Sequence, residues 1–161
     1  MWKFLSEAID FGRLKTRLCL YVLKYPLPRI HCYLKTQRRS SSRSMECRRF
    51  RITLISANDL PAVQDSGKTR VYAKVSLDCK RKTEKRTPAD KEGQINPRWN
   101  FTLWYKVAEA LIQQKDVNIA IKLYAENNLR DKYVGELNLP LKNLFDNGLT
   151  AEKVSYALEH K

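Results

Sequence analysis

Glycine and histidine are scarce in this chain, with five Gly and two His among 161 residues. So few glycines leave little from which to build a Gly-rich loop that cradles phosphates. His31 lies in the N-terminal stretch and His160 beside the C-terminus, so a Ser-His or Cys-His nucleophile in the central part has no base to use. Cys19, Cys32, Cys47 and Cys79 show no Cys-x-x-Cys spacing and no accompanying His cluster. They read as reduced thiols of an intracellular protein, with neither a zinc site nor a disulfide framework expected. The apolar run Leu18-Cys19-Leu20-Tyr21-Val22-Leu23 has six residues, and a bilayer needs about 20. These absences point to no cofactor, no metal and no enzymatic activity.

What is present bounds one domain and a tail. Apolar side chains make up 43% of the residues, enough for one core. The formal charge of +14 favours anionic partners, phospholipid or nucleic acid, and says little about fold. It is unevenly spread: residues 1–44 carry ten Lys/Arg against two acids, and residues 45–161 carry 21 against 15. The first segment, basic and with Ser40, Ser41, Ser42 and Ser44 near its end, has the composition of an organellar address, although Lys24-Tyr25-Pro26-Leu27-Pro28 is a poor secretory cleavage site. The expected division is an N-terminal extension over 1–44, disordered or helical and outside the fold, and a domain over 45–161. A targeting or membrane-surface segment is the alternative for the extension.

Period-two patterning fills the domain. Phe50, Ile52 and Leu54 alternate with Arg51 and Thr53; Val71, Ala73, Val75 and Leu77 with Tyr72, Lys74 and Ser76; Val117, Ile119, Ile121 and Leu123 with Asn118, Ala120 and Lys122. Such alternation is that of half-buried antiparallel strands. In Asn96-Pro97-Arg98-Trp99-Asn100 the proline fixes a turn, after which Trp99, Phe101, Leu103 and Tyr105 share one face. The stretch Val107–Lys115, free of Gly and Pro, predicts a short helix. With further strands at Lys80–Arg86, near Tyr133–Leu139 and at Val154–Leu158, seven strands are expected from Phe50 onward, an all-β antiparallel sandwich.

Taken in order, Ala57-Asn58-Asp59-Leu60, Val71-Tyr72-Ala73-Lys74-Val75, the Asn96–Asn100 turn, and Val134-Gly135-Glu136 followed by Leu139-Pro140-Leu141 resemble a C2 domain, a Greek-key β-sandwich. The resemblance is nearest to the small plant single-C2-domain proteins of the cold-regulated type, whose Met-Glu-Cys-Arg start is matched at Met45–Arg48. It implies eight strands, so one is missing from the count. Ile30–Leu34 alternates and is a candidate to supply it from the N-terminal side.

The resemblance also implies where chemistry would sit. C2 domains that bind calcium use aspartates on two loops, since Ca²⁺ takes six to eight oxygens. Counted against this chain, those positions fall on Gln64, Arg70, Tyr124, Glu126 and Lys132. Two cations beside the ion argue against tight Ca²⁺ binding, and Asp59, Asp65 and Asp131 read as turn residues. The second site of the family is a basic strand, here Lys80, Arg81, Lys82, Lys85 and Arg86, with Lys74 and Arg98 adjoining. These residues are the candidate contacts for anionic phospholipid. The expected function is thus non-enzymatic, peripheral binding to the plasma membrane from the cytoplasm, weakly or not calcium-dependent, in stress or defence signalling. A protein-interaction module using the sandwich edge is the alternative. Nucleic acid is not an expected partner, because no base-stacking aromatics interleave with the charges.

Overall fold

The structure is a computed structural model, described for residues 17–24, 30–33, 44–62, 69–78, 80–114, 116–146 and 153–158. Its strands follow in chain order as β1 (Arg17–Lys24), β2 (Ile30–Tyr33), β3 (Ser44–Asn58), β4 (Arg70–Leu77), β5 (Lys85–Arg86), β6 (Arg98–Ala108), β7 (Asn118–Glu126), β8 (Lys132–Pro140) and β9 (Lys153–Ala157). Two short helices, α1 (Glu109–Ile112) and α2 (Leu141–Asp146), lie after β6 and β8.

The alternating residues place the strands as their period dictates. Phe50, Ile52 and Leu54 of β3, Leu103, Tyr105 and Val107 of β6, Val71, Ala73 and Val75 of β4, and Ile119, Ile121 and Leu123 of β7 are buried in one core between two antiparallel sheets. The first sheet is centred on β3, which pairs with β6 along one edge and with β1 and then β2 along the other. β9 pairs with β1. The second sheet runs β5-β4-β7-β8. The expected helix is shorter than Val107–Lys115, because β6 continues through Ala108 before α1 begins.

The missing strand is present, and it comes from the segment expected to lie outside the fold. β1 covers the apolar run Leu18–Leu23 and bridges β3 and β9, with Leu18 opposite both Ala57 and Tyr156. Leu18 is fully buried and Cys19 nearly so. Ile30–Tyr33 does form a strand, β2, but it extends the near end of β3 and does not fill the gap. The expectation of an incomplete sandwich is therefore corrected, and that of a disordered or helical tail is corrected over Arg17–Lys24 and Ile30–Tyr33, the rest of 1–43 lying outside the described residues; the sheet draws strands from both sides of the expected boundary at 44/45. Cys47 is disulfide-bonded, which corrects the expectation of reduced thiols throughout.

The Asn-Pro-Arg-Trp-Asn turn is organised by Asp90. Its carboxylate accepts N–H bonds from Glu92 at 3.1 Å, Gly93 at 3.2 Å and Arg98 at 2.8 Å. A Cβ on Gly93 would meet Asp90 Oδ2 at 2.4 Å and the Asn96 carbonyl oxygen at 2.5 Å, so this position accepts only glycine. Asn96 Oδ1 accepts the Asp59 N–H at 2.9 Å, joining two loops at one end of the sandwich. The Trp99 indole then donates to the Val71 carbonyl at 2.9 Å.

Truncating Leu18→Ala is expected to destabilise the fold by about 2–5 kcal/mol in urea denaturation, as for other buried leucines; a loss below about 0.5 kcal/mol would show that β1 is not structurally engaged. Burial raises the Asp90 carboxyl pKa, but the N–H bonds from Arg98, Glu92, Gly93 and Lys91 outweigh it and hold the group below its ordinary 3.8. A depressed folded value stabilises the native state above the unfolded value and is lost as pH falls through the folded one. Acidification from about pH 5 to about pH 2 is thus expected to lower the melting temperature, and Asp90→Asn to cost about 1–3 kcal/mol at neutral pH while flattening that acid slope.

Candidate functional site

The outward face of the second sheet carries the candidate basic residues, but not as one strand. Lys80–Arg86 was expected to be extended throughout; instead Arg81–Thr83 form a 3₁₀ turn and only Lys85–Arg86 pair with β4. The cause is Thr83, whose hydroxyl accepts the Leu77 N–H at 2.9 Å and approaches the Lys80 carbonyl at 2.8 Å. A side chain that hydrogen-bonds nearby backbone offers the chain an alternative to the ladder.

The turn redistributes the five cations. Lys80 pairs with Asp78 at 2.7 Å. Arg86 lies opposite Lys74 in the ladder and points outward, its guanidinium 2.6 Å from Glu126 and 3.9 Å from the centroid of the Tyr72 ring. Lys85 points the other way: its ammonium donates to the Trp104 carbonyl and sits 4.9 Å from the Tyr105 ring centroid. Arg81 and Lys82 are exposed, and among the described residues they form no ion pair. Arg81 lines an open polar groove of about 520 Å³ with Lys74, Ser76, Glu84, Lys122 and Tyr124. Lys74 pairs with Glu84 at 3.1 Å and Lys122 with Glu136 at 3.6 Å, so the groove holds carboxylates as well as cations. Lys74 and Lys122, which complete the groove, are thus brought together with Arg81. Arg98 is placed elsewhere, at the Asp90 turn. Trp104 is on the outward face of the first sheet, away from this groove, and 47% exposed.

The loop after β7 carries several of the positions that the resemblance singles out. Arg70 is in register with Glu126 across β4 and β7, and Arg70 and Lys132 are exposed. The Asp131 carboxylate is exposed and accepts the Tyr72 hydroxyl at 2.6 Å and the Asn127 N–H at 3.2 Å. These bonds from Tyr72 and Asn127 hold the Asp131 carboxyl below the usual carboxylate range, with burial opposing them. Burial and the bond to Asp131 push the Tyr72 phenol far above its ordinary value, so the donor stays protonated. Tyr72 stacks on Tyr124, with ring centroids 5.7 Å apart. Asp59 takes a left-handed turn conformation, φ 56°; Gln64 and Asp65 lie outside the described residues. At the tip of the loop Leu129 is 97% exposed, flanked by exposed Arg130 and, beyond Asp131, Lys132. Sequence patterning did not single out Leu129, because one apolar residue in a polar loop has no period; the isolated Leu between Asn128 and Arg130 was its only signal.

The family profile described as C2 domain matches residues 48–156. Protein SRC2 homolog of Arabidopsis thaliana is 34% identical over 117 residues, covering 71% of this chain and 36% of that protein. Protein SRC2 of Glycine max is 34% identical over 106 residues, covering 65% and 37%. Synaptotagmin-9 of Rattus norvegicus is 33% identical over 129 residues, covering 77% and 22%. The chain spans about a third of the length of the two plant relatives. Among solved structures, a C2 domain of RIM from Drosophila superposes with a TM-score of 0.63 at 20% identity, over 91% of this chain and 100% of that one. A C2 domain of RIM2 gives 0.62 at 19%, over 91% and 98%. With the two-sheet topology, the profile match over most of the chain shows that this protein belongs to the C2 domain family.

Proposed function

We propose that this C2 domain is a non-enzymatic module that docks peripherally on anionic phospholipid bilayers, with little or no dependence on calcium. The observation that carries the reading is Leu129, 97% exposed at a loop tip with Arg130 and Lys132 beside it. An apolar side chain among cations fits the boundary between acyl chains and anionic headgroups. The loop needs no ion to hold it, because Tyr72 and Asn127 already bond the Asp131 carboxylate. The exposed Arg81 and Lys82 supply a second contact on the grooved face, each worth about 1 kcal/mol near an anionic surface. Lys80 and Arg86, paired with Asp78 and Glu126, contribute less, and Lys85 faces the other sheet. The anionic cytoplasmic leaflet of the plasma membrane is the surface that suits this chemistry, and the resemblance to small plant C2 proteins is what supports a place in stress or defence signalling.

Co-sedimentation with phosphatidylcholine vesicles, with and without phosphatidylserine, tests the reading. Binding is expected to need phosphatidylserine, to weaken with salt, and to be the same in chelator and in calcium. Replacing Arg81 and Lys82 by Gln should lower it by about tenfold or more, Leu129→Asp should weaken it further, and Lys85→Gln should leave it unchanged. Calorimetric titration showing micromolar Ca²⁺ affinity would overturn the calcium part; sedimentation indifferent to salt and to phosphatidylserine would overturn the whole.

A further inference from the structure

The two outward faces of the sandwich handle charge differently. On the grooved face, Lys74, Arg86 and Lys122 each have a carboxylate partner in Glu84, Glu126 and Glu136. On the outward face of the first sheet, Arg49 and Lys106 are directly opposite each other on β3 and β6. Both are exposed, and among the described residues neither forms an ion pair. Like charges directly opposite across a ladder destabilise the sheet. The next outward pair is Arg51 opposite Trp104, the guanidinium 5.8 Å from the indole centroid. The pair after that joins the Thr53 and Thr102 hydroxyls at 2.8 Å. No carboxylate occurs at the outward positions of these two strands, which alternate through Arg49, Arg51 and Thr53 and through Lys106, Trp104 and Thr102.

We infer that this face, centred on Arg49, Lys106 and the exposed Trp104, is a docking surface for an acidic polypeptide segment. An unrelieved like-charge pair is stabilised by bound carboxylates, and a guanidinium beside an ammonium offers both bidentate and point-charge recognition. Position selects a polypeptide over lipid, a step that rests on the membrane reading above. Arg49 is nine residues along β3 from Asn58, about 30 Å from the end whose loops include Leu129. That exceeds the Debye length of about 8 Å at physiological salt. The sheet also faces away from the groove that holds Arg81. A domain seated by either feature therefore turns this face to solution, where it can recruit an acidic partner.

The test uses the full chain with a short polyglutamate peptide, measured by calorimetry, alongside the vesicle assay. Wild type is expected to bind the peptide in a salt-dependent manner. Arg49→Glu with Lys106→Glu should reduce peptide affinity by about tenfold or more and leave vesicle binding unchanged, whereas Arg81→Glu with Lys82→Glu should do the reverse. Equal loss of peptide binding in both double variants would overturn the inference as general cationic attraction, and loss of vesicle binding in the Arg49/Lys106 variant would reassign the face to lipid. If wild type fails to bind vesicles, the membrane reading falls while the peptide arm still decides this one. Independently of any ligand, Lys106→Glu alone should raise the melting temperature by about 1–4 °C by relieving the repulsion with Arg49; a fall would overturn the premise.

Discussion

One edge of β4 sets how the two sheets meet. A short partner strand pairs only Lys74 and Val75 there, so most of that edge would be left open. Its carbonyls are instead met from the segment that follows β5 and from β6. Thr87 donates its N–H to Ala73 and Asp90 to Val71, each at 2.9 Å. Trp99 and Tyr105, rooted in the first sheet, reach across to the Val71 and Val75 carbonyls at 2.9 and 2.8 Å. An open strand edge is a template for aggregation, and a buried unpaired carbonyl costs about 1–3 kcal/mol. Meeting both needs with the same four groups locks the angle of the sandwich, the turn at Asn96–Asn100 and the face that carries the groove.

Charge is then distributed over a frame that does not depend on it. The core is apolar, and the ion pairs of the grooved face are exposed to varying degrees, where such pairs contribute about 0–1 kcal/mol each. Their effect is on recognition: a face with neutralised cations attracts anions less than its count of Lys and Arg suggests. Arg81 and Lys82 stand out there because the Thr83 turn takes them out of the ladder and they form no ion pair among the described residues. Loop order follows the same economy. The Tyr72–Asp131 bond, at 2.6 Å, ties the loop after β7 to β4 with two side chains.

Much of this was legible in the sequence because half-buried strands announce themselves by alternation. Trp99, Phe101, Leu103 and Tyr105 share the core side of β6 as their spacing requires. β1 was not legible for the opposite reason. Both Leu18 and its neighbour Cys19 are buried, so the strand is covered on both sides and its residues form a continuous apolar run, a pattern shared by strands, helices and membrane segments. The basic segment misled differently: a row of Lys and Arg reads as an alternating solvated strand, and a single threonine hydroxyl turns it aside. The tip leucine and the Arg49–Lys106 pair were invisible for a third reason. Exposure at a loop end and cross-strand register are properties of the folded arrangement, absent from any window of the chain.

The placement of β1 has a consequence for how the chain could be rewired. Arg17 and Ala157 are cross-strand neighbours, so the two most distant strands in sequence are adjacent in space. A short turn joining β9 to β1 would make an ordinary hairpin, and a break opened in one of the surface loops would leave every ladder intact. Fold and backbone connectivity are separable in such a sandwich: each sheet specifies an order of neighbours, and that order can be kept while the connections between strands are changed.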